Sequence, residues 1–123
     1  MPIAIGTHFD DAAAISAVLS SLADGGHDIV IIMHSYGGIP GTQAVAGLSK
    51  TSRLAEGKKG GVIASVYLCA FLLQKGESLV SFEGGLNPSY TVIDDHVLPP
   101  PLELCYSDLP AEEAAAWYAM LKP

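Results

Sequence analysis

The apolar run Ile29-Val30-Ile31-Ile32-Met33 stops at His34-Ser35-Tyr36-Gly37-Gly38, and this junction constrains the fold more than any other stretch. An unbroken β-branched run has the composition of a parallel strand covered on both faces. A pair of glycines cannot prolong such a strand, so the chain must turn, and the residues that follow suit the start of a helix. A serine at the apex of a sharp strand-to-helix turn takes a strained backbone conformation that pushes its hydroxyl out of the sheet. Gly37 and Gly38 allow the helix to pass close to the strand where a Cβ would collide. The first amides of the helix point toward the same place as the hydroxyl, so one turn supplies a nucleophile and part of an oxyanion hole.

The rest of the chain fits a strand-helix-strand unit. Asp10 to Asp24 reads as an amphipathic helix with Ile15, Val18, Leu19 and Leu22 on its apolar face. Asp28 opens the first strand, and the helix after the turn runs from Tyr36 to Leu48, with Pro40 tolerated in its first turn. Val62 to Leu68 forms the second strand, which makes a right-handed βαβ crossover. Lys50, Arg53, Lys58 and Lys59 fall in the connection and read as a solvated stretch, with an anion or partner site as the alternative. Beyond Ala70 the pattern changes. Gly76, Gly84-Gly85 and Asn87-Pro88 split short apolar pieces into a hairpin or loop excursion, and Pro99 to Pro101 stiffens the connection. Asp108, Pro110, Glu112 and Glu113 signal a final helix with Ala114, Trp117, Met120 and Leu121 along one side.

Composition narrows the class. The 123 residues, 50% of them hydrophobic, suffice for one domain with a modest core. A formal net charge of -7 argues against nucleic acid and anionic membrane surfaces as partners. No stretch approaches the roughly 18 apolar residues of a membrane span, and the first residues do not have the form of a signal peptide. The chain therefore reads as cytoplasmic. Cys69 and Cys105 have no metal-ligand spacing and read as buried free thiols, with a disulfide as the alternative were the chain secreted. Gly37, Gly38 and Gly41 open a helix as in a nucleotide-binding βαβ unit, but the G-x-G-x-x-G order is absent and no Walker lysine follows. No cofactor and no metal site are expected.

The His-Ser-Tyr-Gly-Gly turn at 34–38 resembles the α/β-hydrolase superfamily, in particular its small esterase-like members. The resemblance implies Ser35 as nucleophile, the Tyr36 backbone N–H as oxyanion donor, and Gly37 as the second small residue of G-x-S-x-G. Met33 stands where the first glycine of that pattern belongs, so its side chain must be housed beneath the turn. The implied fold is α/β, a partial hydrolase core over residues 1–70 built as βαβ around the nucleophile elbow. A cap-like helical segment over 71–123 would belong to the same single domain, with Trp117, Tyr106 and Phe82 lining a pocket or packing on the core. Members of the superfamily are much longer and carry their acid and histidine downstream of the serine, so the chain resembles a central fragment. The implied reaction is hydrolysis of a small, largely apolar carboxylic ester or acyl compound. The alternative is an inactive hydrolase remnant that serves as a binding or interaction module.

An activated serine needs a base. His34 adjoins Ser35, but neighbouring side chains at such a turn diverge, which gives it a structural role. His8 and His27 flank the first helix and should be exposed. His96 follows Asp94-Asp95 and is the one candidate base within the chain, with an aspartate to orient it. Two apolar strands cannot cover each other's outer edges, so a homo-oligomer or a strand-pairing partner is also expected.

Overall fold

The computed structural model describes residues 7–85, 88, 91–93 and 96–121. Two compact units follow one another along the chain, residues 1–75 and 76–123.

The first unit begins with α1 (His8–Asp24). The Thr7 backbone N–H and hydroxyl both donate to Asp10 Oδ2, at 2.7 and 2.9 Å. The Thr7 N–H, foremost, holds the Asp10 carboxyl below its usual range, as a carboxylate closing a helix N-terminus should be. β1 (Asp28–Ser35) and β2 (Gly61–Ala70) pair in parallel. Between them lie α2 (Gly38–Ala44) and α3 (Lys50–Ala55). The helix after the turn is shorter than the span to Leu48 that its composition suggests. Val45 caps it, and Gly47 at φ 73° reverses the backbone in the left-handed region where glycine is at home.

One core holds this unit together. Leu19, Ala23, Ile29, Ala44, Leu48 and Val62 form its buried cluster, with Ile15, Ile31 and Val45 packed against it. On α1 the buried residues are Ala12, Leu19 and Ala23. Leu19 packs in the core and Ile15 against it, as expected, whereas Val18 and Leu22 are exposed, which corrects that half of the expected apolar face. Alanines let a helix approach closely, and that closeness decided the face.

The sheet is also not covered on both sides among the described residues. Ile29 and Met33 are buried, whereas Val30 and Ile32 are 50% and 65% exposed. Alternation along β1 therefore separates an inner face from an open one. On β2, Val66 and Leu68 pair with Ile32 and His34 and continue the open face.

The basic connection is exposed over most of its length, as expected of a solvated stretch, but Arg53 within it is a structural residue. Ser49 caps α3 by accepting from the Ser52 N–H at 3.2 Å, and Arg53 on that helix is only 5% exposed. Its Nε donates to Gly60 O and its guanidinium to Asp24 Oδ1, both at 2.7 Å, which fastens the end of α1 to the entry of β2. Lys50 pairs with Asp28 and Lys58 with Glu56, so these basic side chains are engaged within the chain.

The second unit contains α4 (Leu79–Phe82), β3 (Val92–Ile93), β4 (His96–Val97), α5 (Leu102–Cys105) and α6 (Ala111–Tyr118). β3 and β4 are antiparallel, the hairpin expected in this region. On α6 only Ala114 is buried; Phe82 and Trp117 are about half exposed and Met120 more so, while Tyr106 is half-buried. No helix among the described residues is long and apolar enough to cross a membrane.

Candidate active site

Ser35 closes β1 with φ at 51°. An L-residue with a Cβ enters this left-handed region at a cost of about 1–3 kcal/mol and stays only where its surroundings over-determine it. The turn that follows is tightly bonded. Gly37 N–H donates to His34 O at 2.9 Å, Ile39 N–H to Tyr36 O at 2.9 Å, and Gly41 N–H to Gly37 O at 3.0 Å. The Tyr36 N–H takes part in none of these turn bonds. On the other side, Phe71 N–H donates to Ser35 O at 3.0 Å, which ties the apex to the end of β2.

Close approach explains the glycine at position 38. A Cβ there would lie 2.1 Å from the Phe71 carbonyl oxygen, a backbone atom that cannot step aside. Gly41 has a different neighbour, since a Cβ on it would meet Met33 Sδ at 2.5 Å. Met33 is buried, lodged beneath the turn as its place in the pattern required, and Gly41 on α2 makes the room.

The register of β2 adds a feature that no sequence signal announced. His34 pairs with Leu68 and Ser35 with Ala70, so Cys69 is the extra residue of a bulge, and its φ is 42°. Two non-glycine residues in the left-handed region therefore sit side by side at the ends of the two strands. Bulges re-aim side chains and often lie beside functional sites. Cys69 is exposed and Cys105 half-buried, a correction to the expected burial of both thiols; the bulge turns Cys69 out of the inner face.

Tyr36 is bound to α1. Its hydroxyl donates to Asp11 Oδ2 at 2.9 Å, a pairing across 25 positions that sequence spacing could not reveal. Desolvation first, then the hydrogen bond and charge of Asp11, push the phenol up to about 12 from an ordinary 10.0. The sign follows from proton binding. Because the folded state retains the phenolic proton longer than the unfolded chain, this contribution is complete below pH 10 and is lost as pH rises toward 12. The melting temperature should fall across that interval, and less so in Tyr36→Phe, measured by thermal scans in matched buffers. Equal slopes in the two proteins would show that the phenol is not held as described.

The histidines are dispersed. His34 is exposed on the open side of the sheet, opposite Leu68. His27 is exposed, while His8 is half-buried with its ring centroid 3.9 Å from that of Phe9. His96 lies on β4, paired with Ile93, in the second unit; its expected partners Asp94 and Asp95 lie outside the described residues. Among the described residues, no cluster of three or more His, Cys, Asp or Glu side chains is arranged to hold a metal.

A strained serine between a strand buried on one face and a closely packed helix is a geometry that can be compared with known families. The model of the alpha/beta hydrolase family matches residues 2–123. The chain belongs to that family. Among curated relatives, probable hydrolase R7 of Phoma sp. is 36% identical over 85 residues, covering 69% of this chain and 32% of that protein. Alpha/beta hydrolase nvfD of Aspergillus novofumigatus is 37% identical over 82 residues, covering 67% of this chain and 31% of that protein. This alpha/beta hydrolase chain thus spans under a third of the length of the relatives it matches. No solved structure matches it significantly.

Proposed function

We propose that Ser35 is the nucleophile of a serine hydrolase acting on small, largely apolar carboxylic esters, with the Tyr36 N–H as one oxyanion donor. The observation that carries this reading is the backbone of Ser35, held at φ 51° where strand meets helix. Strain of this kind stabilises nothing by itself, and it presents a hydroxyl beyond the sheet. Membership of a hydrolase family supports the same role; the ester class comes from the resemblance of the His-Ser-Tyr-Gly-Gly turn to small esterases.

In the proposed reaction Oγ bonds to the carbonyl carbon as the hydroxyl proton passes to a base. The carbonyl electron pair moves to oxygen, where the Tyr36 N–H stabilises it. Collapse breaks the ester C–O bond, and the leaving alkoxide takes the proton. Water then repeats the sequence on the acyl carbon, and Ser35 is regenerated. The base is the role for which the first unit offers least, since His34 faces the open side of the sheet.

The test is incubation with p-nitrophenyl acetate, followed by mass analysis of the quenched protein. The expected result is an acetyl group on Ser35, none on Ser35→Ala, and slow turnover. A site without its base retains about 10³- to 10⁴-fold over water. His96→Ala should leave the rate unchanged. Absence of the adduct would sink the nucleophile assignment and leave the binding-module reading; a loss in His96→Ala would make His96 the base.

A further inference from the structure

Tyr36 is tied at two ends, and only one tie belongs to the turn. Its carbonyl accepts from Ile39 N–H within the turn, while its hydroxyl reaches α1 and donates to Asp11 Oδ2 at 2.9 Å. The residue is 44% exposed, so packing alone does not fix the ring. A hydrogen bond to a carboxylate is stronger and more directional than one between neutral groups.

The two acids that open α1 divide the work. Asp10 accepts from Thr7 and closes the helix N-terminus. Asp11, half-buried, takes the phenol. That phenol belongs to the same residue whose backbone N–H is at issue.

We propose that Asp11 is a positioning residue for oxyanion binding: by holding the Tyr36 phenol on α1, it fixes the Ser35–Tyr36 peptide and aims the Tyr36 N–H. This rests on the roles proposed above for Ser35 and Tyr36. The bond from Cα to Cβ and the bond from Cα to N leave the same atom, so anchoring the ring limits rotation of the N–H about Tyr36 φ. Donor alignment matters because a hydrogen bond weakens steeply as its angle closes, and small misplacements at a reacting centre are costly.

The experiment follows labelling of the full chain by an alkyl fluorophosphonate. The Ser35 Oγ–P bond forms as P–F breaks, fluoride leaves, and the hydroxyl proton passes to buffer. Intact mass gives the rate. Asp11→Ala and Tyr36→Phe should each lower the limiting labelling rate about tenfold, with the half-saturating probe concentration unchanged. The double variant should be no slower than either single one. Asp11→Asn, whose carboxamide oxygen still accepts, should recover most of the rate. A parental rate in Asp11→Ala, or losses that multiply in the double variant, would overturn the proposal. If circular dichroism shows Asp11→Ala unfolded, Tyr36→Phe decides alone, and an unchanged rate overturns it. A parent protein that takes no label on Ser35 defeats the nucleophile reading itself, and the positioning role with it; that outcome is distinct from a labelled parent whose variants keep pace.

Discussion

Replacing Ser35 with glycine is expected to abolish acyl transfer and at the same time to raise the melting temperature. Ser35 occupies φ 51°, where a side chain costs about 1–3 kcal/mol and glycine costs almost nothing. Against that gain stands the greater backbone freedom glycine loses on folding, about 0.5–1 kcal/mol. The balance favours the variant by about 1 kcal/mol, or about 4 °C for a chain of this size. Ser35→Ala should behave differently, losing acyl transfer with no rise in stability because its Cβ keeps the strain. Cys69 provides the control. At φ 42° it has the same conformational cost and no proposed chemistry, so Cys69→Gly should melt higher and still take the acetyl group. Calorimetry alongside the acylation assay measures both halves. A Ser35→Gly protein that melts below the parent would show that the turn stores no strain at this residue.

The elbow was legible because its causes are local. A β-branched run, a serine and two glycines are adjacent in sequence, and each dictates its own backbone conformation. The same holds for α1, whose start differs from the expected one only because Thr7 and Asp10 close the helix two residues earlier. Which face of α1 is buried was legible only in part, since Leu19 and Ile15 pack in and against the core as expected and Val18 and Leu22 do not. Hydropathy ranks Val18 and Leu22 above Ala12 and Ala23, yet of these four the alanines are the buried ones, since the distance between elements is a property of the packed pair. Arg53 makes the same point with charge. Read alone it belongs in solvent, but Asp24 and the Gly60 carbonyl arrive from other elements and satisfy it. Ser49 before α3 was the available signal, a helix-capping residue within a stretch that charge had marked as a loop. The Tyr36 pairing with Asp11 and the bulge at Cys69 depend wholly on tertiary register. No local rule yields them.

The second large effect is expected at Met33 and Gly41, and the informative result is their coupling. Met33 occupies the position of the first glycine in the G-x-S-x-G pattern, buried to 3% exposure, and Gly41 on α2 leaves the space its sulfur fills. Met33→Ala should cost about 2–5 kcal/mol, the transfer and cavity cost of truncating a packed methionine. Gly41→Ala ought to gain about 1 kcal/mol from helix propensity. Its Cβ would instead lie 2.5 Å from Met33 Sδ and 2.8 Å from Cγ, and overpacking of that kind costs about 1–3 kcal/mol. In the double variant the new methyl group enters the space the sulfur left, so Gly41→Ala changes from neutral or harmful to stabilising. Urea denaturation of the parent, both single variants and the double variant gives the interaction energy, expected to exceed about 1 kcal/mol. Additive effects, or a Gly41→Ala protein more stable than its parent, would place the Met33 side chain elsewhere. The strand side of this turn tolerates a long side chain because the helix side gives up its own; the requirement for a small residue has moved across the strand-helix contact from position 33 to position 41.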